Sequence, residues 1–342
     1  MRINILKILN IILPTKIFNY LKIKKQRFII CLNLFRGYYY DFKIFKKFSG
    51  TQENNTPTKL IGNIIREYHV VEKGLTMPHT RLGFGKDLVL SLCINCEKYL
   101  SVFDKEDEQL IHAISVLHEY ELLHTVNNFD LDADIITAIS KLTNYNIVQH
   151  TSFQKEMTKS EYFKEVQSPF SDFSGSRSSL RNFTNEEIPL SKILHALELV
   201  RNTPSACNRQ SWRTYVFTDK EQINKILEVQ GGNRGFGHLT NKLIVIVGEV
   251  GLYTGKAERN QVFVDGGMYA MNLLYSLHHN LIGACILNCS NTNEKNYQLR
   301  TLCQTKESEA FIAMVACGIP PDSFMIASSL RYDLKKTNCV IN

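Results

Sequence analysis

The 342 residues include 40 Lys/Arg and 33 Asp/Glu, and 44% are apolar with only 8 Pro, which excludes a disordered or collagen-like chain. The excess charge is local: residues 1–50 hold eleven Lys/Arg and one acid, Asp41, so this segment is +10 and the remainder is −3. A nucleic-acid footprint needs basic residues clustered on the folded body itself, so no nucleic-acid partner is expected.

In chain order the basic head comes first. Its apolar clusters, Ile3–Leu13 and Phe28–Phe35, are interleaved with lysines and followed by Tyr38, Tyr39, Tyr40, Phe42, Phe45 and Phe48. Apolar area combined with positive charge is what binds an anionic membrane surface. A pair of helices packed on the body with their lysines solvated is the plainer alternative, and a head without fixed order is a third. No cleavable signal is evident and no run of 18 apolar residues exists, so no spanning helix is expected. Nine scattered cysteines fit free thiols in a reducing compartment. The expected location is the cytoplasm, peripheral at the inner membrane surface.

Thr51–Thr58 reads as a linker. Apolar spacing then predicts helices over Lys59–Lys73, Lys86–Tyr99, Lys105–Thr125 and Asp132–Thr143, so residues 59–165 form an α-helical domain. Gln167–Ser176 is a second, turn-rich linker. Beyond it, residues 170–342 alternate helices (Pro189–Arg201, Val264–Asn280) with strands (Thr214–Thr218, Leu243–Val247, Ala310–Ala316). The expected class is α+β, with a mixed central sheet flanked by helices, preceded by the helical domain.

Four segments of the second body stand out. They are Arg177-Ser178-Ser179-Leu180-Arg181-Asn182-Phe183; Thr203 to Arg213, containing Pro204-Ser205-Ala206-Cys207-Asn208-Arg209-Gln210-Ser211-Trp212; Asp265-Gly266-Gly267 with Asn272 and then Gly283-Ala284-Cys285; and Ala316-Cys317-Gly318-Ile319-Pro320 followed by Ser328-Ser329-Leu330-Arg331. In this order they resemble the nitroreductase family of flavoenzymes. The resemblance implies bound FMN, with Arg177, Ser179 and Arg331 on its phosphate, helped by the Ser329 hydroxyl. Arg181 would face the pyrimidine edge of the ring, and Asn208 with Gln210 the ring or ribityl chain. The segment through Asn288 and Cys289 would offer a backbone N–H to flavin N5. Arginine suits a phosphate because its planar fork gives bidentate, charge-assisted bonds.

The same resemblance implies a homodimer, the long helix packed against its mate, and ping-pong hydride transfer from NAD(P)H through flavin N5 to a small-molecule acceptor. No protein side chain need act as nucleophile, so no catalytic residue is assigned. Two rivals stand beside this reading. One is a flavin dehydrogenase of the same fold acting on a glycan or peptide intermediate without NAD(P)H. The other is a membrane-associated scaffold with a vestigial flavin fold.

The segment His69 to Gly85 resembles a stretch ahead of nitroreductase domains in proteins linked to bacterial polysaccharide synthesis. It implies that His69, Glu72 and Arg81 cover the flavin or contact substrate; a helix C-cap at Gly74 with a structured loop is the alternative. Only 52 residues separate Trp212 from Asp265, a compact version of the family, so the helical domain is expected to supply a missing wall of the pocket. The pair His118 and His124, about 240° apart around a helix, cannot share a metal, so no metal site is expected. Cys93 and Cys96 read as buried structural thiols, Trp212 as a packing residue, and Gly231–Gly237 as a flexible turn near the site's mouth.

Overall fold

The computed structural model describes residues 14–48, 55–103, 106–143, 145 and 154–341; the Ile3–Leu13 cluster and most of the first linker lie outside them. Helix α1, Thr15–Phe48, is a single 34-residue helix that buries none of its residues. Among the described residues, its hydrogen bonds to the body all run through Asp41. Both oxygens of Asp41, the head's single acid, accept from the Arg259 guanidinium at 2.6 and 2.7 Å. Among the described residues no helix is long and apolar enough to cross a membrane.

Helix α2, Pro57–Leu75, starts where Pro57 needs no N–H partner and the Thr56 hydroxyl accepts from the Lys59 N–H. Its apolar residues Leu60, Ile64, Tyr68 and Val71 recur at helical spacing and pack against α3 (Lys86–Val102) and α4 (Glu108–Val126). Helix α5, Ala133–Thr143, closes this core. Cys93 and Cys96 are buried in it, as expected of structural thiols. Gly74 lies inside the last turn of α2 and is not its cap; a Cβ there would collide with the Phe84 ring, so glycine lets the following loop fold back.

The second core surrounds a sheet in the order β2 (Trp212–Phe217), β3 (Lys242–Glu249), β5 (Glu309–Gly318), β4 (Gly283–Asn288). All three of its pairings are antiparallel. Both faces are covered, which is why the β3 run Leu243–Val247 is continuously apolar. Ile244 and Ile246 face α6 (Leu190–Val200) and α8 (Gln261–His279). Leu243, Val245 and Val247 face α7 (Lys220–Gln230) and α9 (Asn293–Cys303). Trp212 stacks on Tyr269 of α8 at 4.9 Å, a packing role as expected. A separate ribbon pairs β1 (Lys155–Thr158) with β6 (Ser323–Ile326), fastening the chain that leaves the helical unit to the C-terminal segment.

Candidate functional site

The Arg177–Phe183 segment is extended backbone held from both ends. The Leu180 N–H donates to the Ala284 carbonyl of β4 at 3.0 Å, and the Thr184 N–H to the Ile319 carbonyl at 2.8 Å. The Tyr162 hydroxyl donates to the Ser178 carbonyl at 2.6 Å. Leu180 and Phe183 are buried, and a Cβ at Gly283 or Gly318 would collide with them. These two glycines therefore set how closely the segment lies on the sheet.

The alternate side chains, Arg177, Ser179 and Arg181, are half-buried. Arg177 Nε is buried with no hydrogen-bond partner. Burial pushes the Cys285 thiol up, while Arg181, Lys73 and Arg177 around it act in the opposite sense. Burial lowers the Lys73 pKa, and the charge of Arg181 lowers it further. Three cations thus gather at the start of β4, and none has a carboxylate ion-pair partner among the described residues. Gathering like charges costs free energy that an anion would recover.

His278 on α8 adjoins this group. Its Nε2 is 2.9 Å from the Ser176 hydroxyl, and Tyr162, Phe163 and Phe173 enclose its ring. Burial first, and the Arg177 charge second, pull its pKa down to about 4. An unfolded histidine takes its proton near pH 6.5, so this contribution to stability is complete above that pH and is lost as pH falls toward 4. The melting temperature should fall across this window, and His278→Phe, which fits the aromatic enclosure, should flatten the fall. Equal slopes in both proteins would contradict the assignment.

The Asn208 turn is built separately. Cys207, Asn208 and Gln210 all have left-handed backbone, with φ of 53°, 54° and 47°. Such conformations cost free energy in non-glycine residues and need support. Support comes from α8: both oxygens of Asp265 accept from the Ala206 N–H at 3.2 Å, and Asn272 donates to the Thr203 hydroxyl at 2.8 Å. Sequence motifs marked Asp265 and Asn272, but their task of fastening this turn emerges only from the fold. Asn208 and Gln210 are exposed and bond each other at 3.2 Å. No hydrogen bond or ion pair among the described residues joins them to Arg177 or Arg181. Asn288 ends β4 with its carbonyl accepting from Gln230 Nε2 at 3.1 Å, and burial pushes the adjacent Cys289 thiol up to about 12. Ser329, at φ 47°, accepts on its carbonyl from exposed Arg331 at 2.7 Å.

The residues singled out in the His69–Gly85 segment divide. Glu72 is fully buried and turns into the helical unit, where His112 Nε2 lies at 2.7 Å and His69 Nδ1 at 3.0 Å. It also accepts from the Ser328 hydroxyl at 3.0 Å, which links the helical unit to the Ser328–Arg331 segment. Burial would raise its pKa, but the hydrogen bonds from His112 and His69 hold it down to about 2. Arg81, by contrast, lines a cavity of about 400 Å³ between the end of α2 and the glycine turn. Val70, Lys73, Met77, Gly232 and Arg234 contribute to its wall. A Cβ on Gly235, at φ 86°, would collide with Met77, so the turn is a close-approach surface with a buried Phe236 rather than a loose loop. His124 uses both ring nitrogens, one toward the Tyr120 carbonyl and one accepting from the Gly83 N–H. No metal-binding group of three or more His, Cys, Asp or Glu occurs among the described residues.

The clamped arginine segment and the strained asparagine turn both fall within the one stretch that a family model recognises. Residues 175–234 match the nitroreductase family. No curated protein matches the chain. Among solved structures, the chain is similar to an FMN-dependent nitroreductase from Clostridium difficile, with 19% identity, 43% of this chain and 86% of that chain covered, and a TM-score of 0.39. It is also similar to a nitroreductase family protein from Streptococcus pneumoniae, with 14% identity, 51% and 100% covered, and a TM-score of 0.45. The helical unit and α1 lie outside the residues matched to the nitroreductase family.

Proposed function

We propose that this chain is an FMN-dependent oxidoreductase of the nitroreductase type, carrying hydride from NAD(P)H to a small-molecule acceptor in ping-pong fashion. The observation that carries the reading is the cation group at β4 that has no carboxylate partner among the described residues; two of its members, Arg181 and Arg177 with its orphaned, buried Nε, lie inside the segment that matches the family. These donors fit a flavin mononucleotide: a dianionic phosphate for Arg177 and Ser179, and ring oxygens for Arg181. FMN bound there would supply hydride acceptance and release at N5. The protein's part is to hold the phosphate, bias the ring's charge through Arg181 and exclude water.

A homodimer completes this proposal. Phe263, Val264, Met268 and Met271 leave an exposed apolar stripe on α8. The Asn208 turn is fastened to the same helix. Across such an interface, Asn208 and Gln210 would serve a cofactor held by the second copy. The proposed peripheral membrane contact rests on α1, which buries nothing in its own chain and carries most of the head's lysines.

The test is direct. Purified full-length protein should be yellow, and anaerobic NADH or NADPH should bleach it. Bound FMN that neither nucleotide bleaches would favour the dehydrogenase acting on a glycan or peptide intermediate. A colourless protein that takes up no added FMN would refute the flavin reading.

A further inference from the structure

The cavity between α2 and the glycine turn has an unusual lining. Lys73, Arg81 and Arg234 reach its wall together with His79, and no Asp or Glu does. Among the described residues, none of these three cations makes an ion pair or a side-chain hydrogen bond. The neighbouring carboxylate, Glu72, is occupied by His69, His112 and Ser328 and points away. Thr80 adds a hydroxyl that donates to the Gly74 and Met77 carbonyls, and the rest of the wall is apolar side chain (Val70, Met77, Phe84, Phe236) or bare glycine backbone. A volume of about 400 Å³ accommodates a ring-sized molecule.

We propose that this cavity binds the second substrate and selects an anionic one: a carboxylate or phosphate on an aromatic or otherwise apolar body. The apolar wall takes the body, and Arg81 and Arg234 at the exposed rim meet the charge. Lys73 sits deepest, beside Arg181, and its ammonium is relieved of that repulsion when an anion arrives. The proposal deepens the oxidoreductase reading by naming the substrate class and by giving the helical unit a share in selecting it. Two of the three cations, Lys73 in the last turn of α2 and Arg81 in the segment that joins α2 to α3, lie outside residues 175–234.

The test is equilibrium dialysis of the full-length protein against three probes of similar size: 4-nitrobenzoate, 4-nitrophenyl phosphate and neutral 4-nitrobenzyl alcohol. At least one anion should bind about ten-fold tighter than the alcohol, the scale of one or two partly exposed charge contacts. Molar salt should erase most of the difference. Arg81→Gln combined with Arg234→Gln should erase it too, leave the alcohol's affinity alone and, because both residues are exposed, keep the melting temperature. Equal binding of all three probes by the wild type, or an undiminished preference in the double variant, would overturn the proposal. A colourless protein that takes up no added FMN and still prefers the anions would refute the flavin reading and leave the anion site standing.

Discussion

Arg177→Ala is expected to weaken FMN binding by about 10²- to 10³-fold, the scale of one lost bidentate, charge-assisted contact. The geometry makes the outcome diagnostic. Arg177 Nε is buried without a partner, so truncation breaks no hydrogen bond made by that atom inside the protein. It also removes a positive charge that opposes protonation of His278. The FMN-free variant should therefore melt no lower than the FMN-free wild type, while the holoprotein loses its colour on desalting. Arg331→Ala should cost less, because Arg331 is exposed and already bonded to the Ser329 carbonyl. The two together should give protein with no retained flavin. Fluorescence titration of FMN measures each Kd, and an unchanged Kd for Arg177→Ala would remove that residue from the proposed phosphate site.

Glu72→Ala is expected to be among the most destabilising single changes in the helical unit, by about 3–5 kcal/mol. It leaves buried His112 and half-buried His69 and Ser328 without their shared acceptor. The sign of the pH dependence follows from the lowered carboxyl pKa of about 2, against an ordinary value of 4.5. The ion contributes fully above about pH 4.5, and its contribution is lost as pH falls toward 2. Glu72→Gln keeps one acceptor oxygen, so it should cost less than alanine and should flatten the acid limb of the stability profile. Denaturant titration from pH 2 to 7 reads both effects. A cost for alanine below about 1 kcal/mol would show that the cluster is spectator packing.

Elements whose signal is local were legible in the sequence. The β3 run, the long apolar helix α8 and the helices of the 59–165 region declare themselves by composition and period, and their ends moved by only a few residues. Helix α7 carries Ile223, Ile226 and Leu227 at helical spacing, but its 11 residues lie in a stretch whose strands and glycine turn give stronger local signals. Strands β1 and β6 carry no local signal, because a four-residue ribbon acquires its identity from its partner, and these two are far apart in the chain. The arginine segment is legible through its resemblance to a family motif, whereas the glycines beneath it, Gly283 on β4 and Gly318 on β5, are brought to it only by the fold.

The sequence by itself determined which residues are cations, which stretches are periodic, and that the excess charge belongs to the head. It could not show that Glu72 would meet His112 across 40 residues and Ser328 across 256. Nor could it show that Lys73 of the helical unit would join Arg181. Helical and strand patterns report neighbours within a few positions. Charge neighbours from distant segments are set by packing, here by Met77 seated against the glycine turn and by β1 paired to β6. The +10 head therefore says little about chemistry, while five half-buried or rim cations, Lys73, Arg81, Arg177, Arg181 and Arg234, brought together by tertiary packing, mark where an anion is proposed to bind.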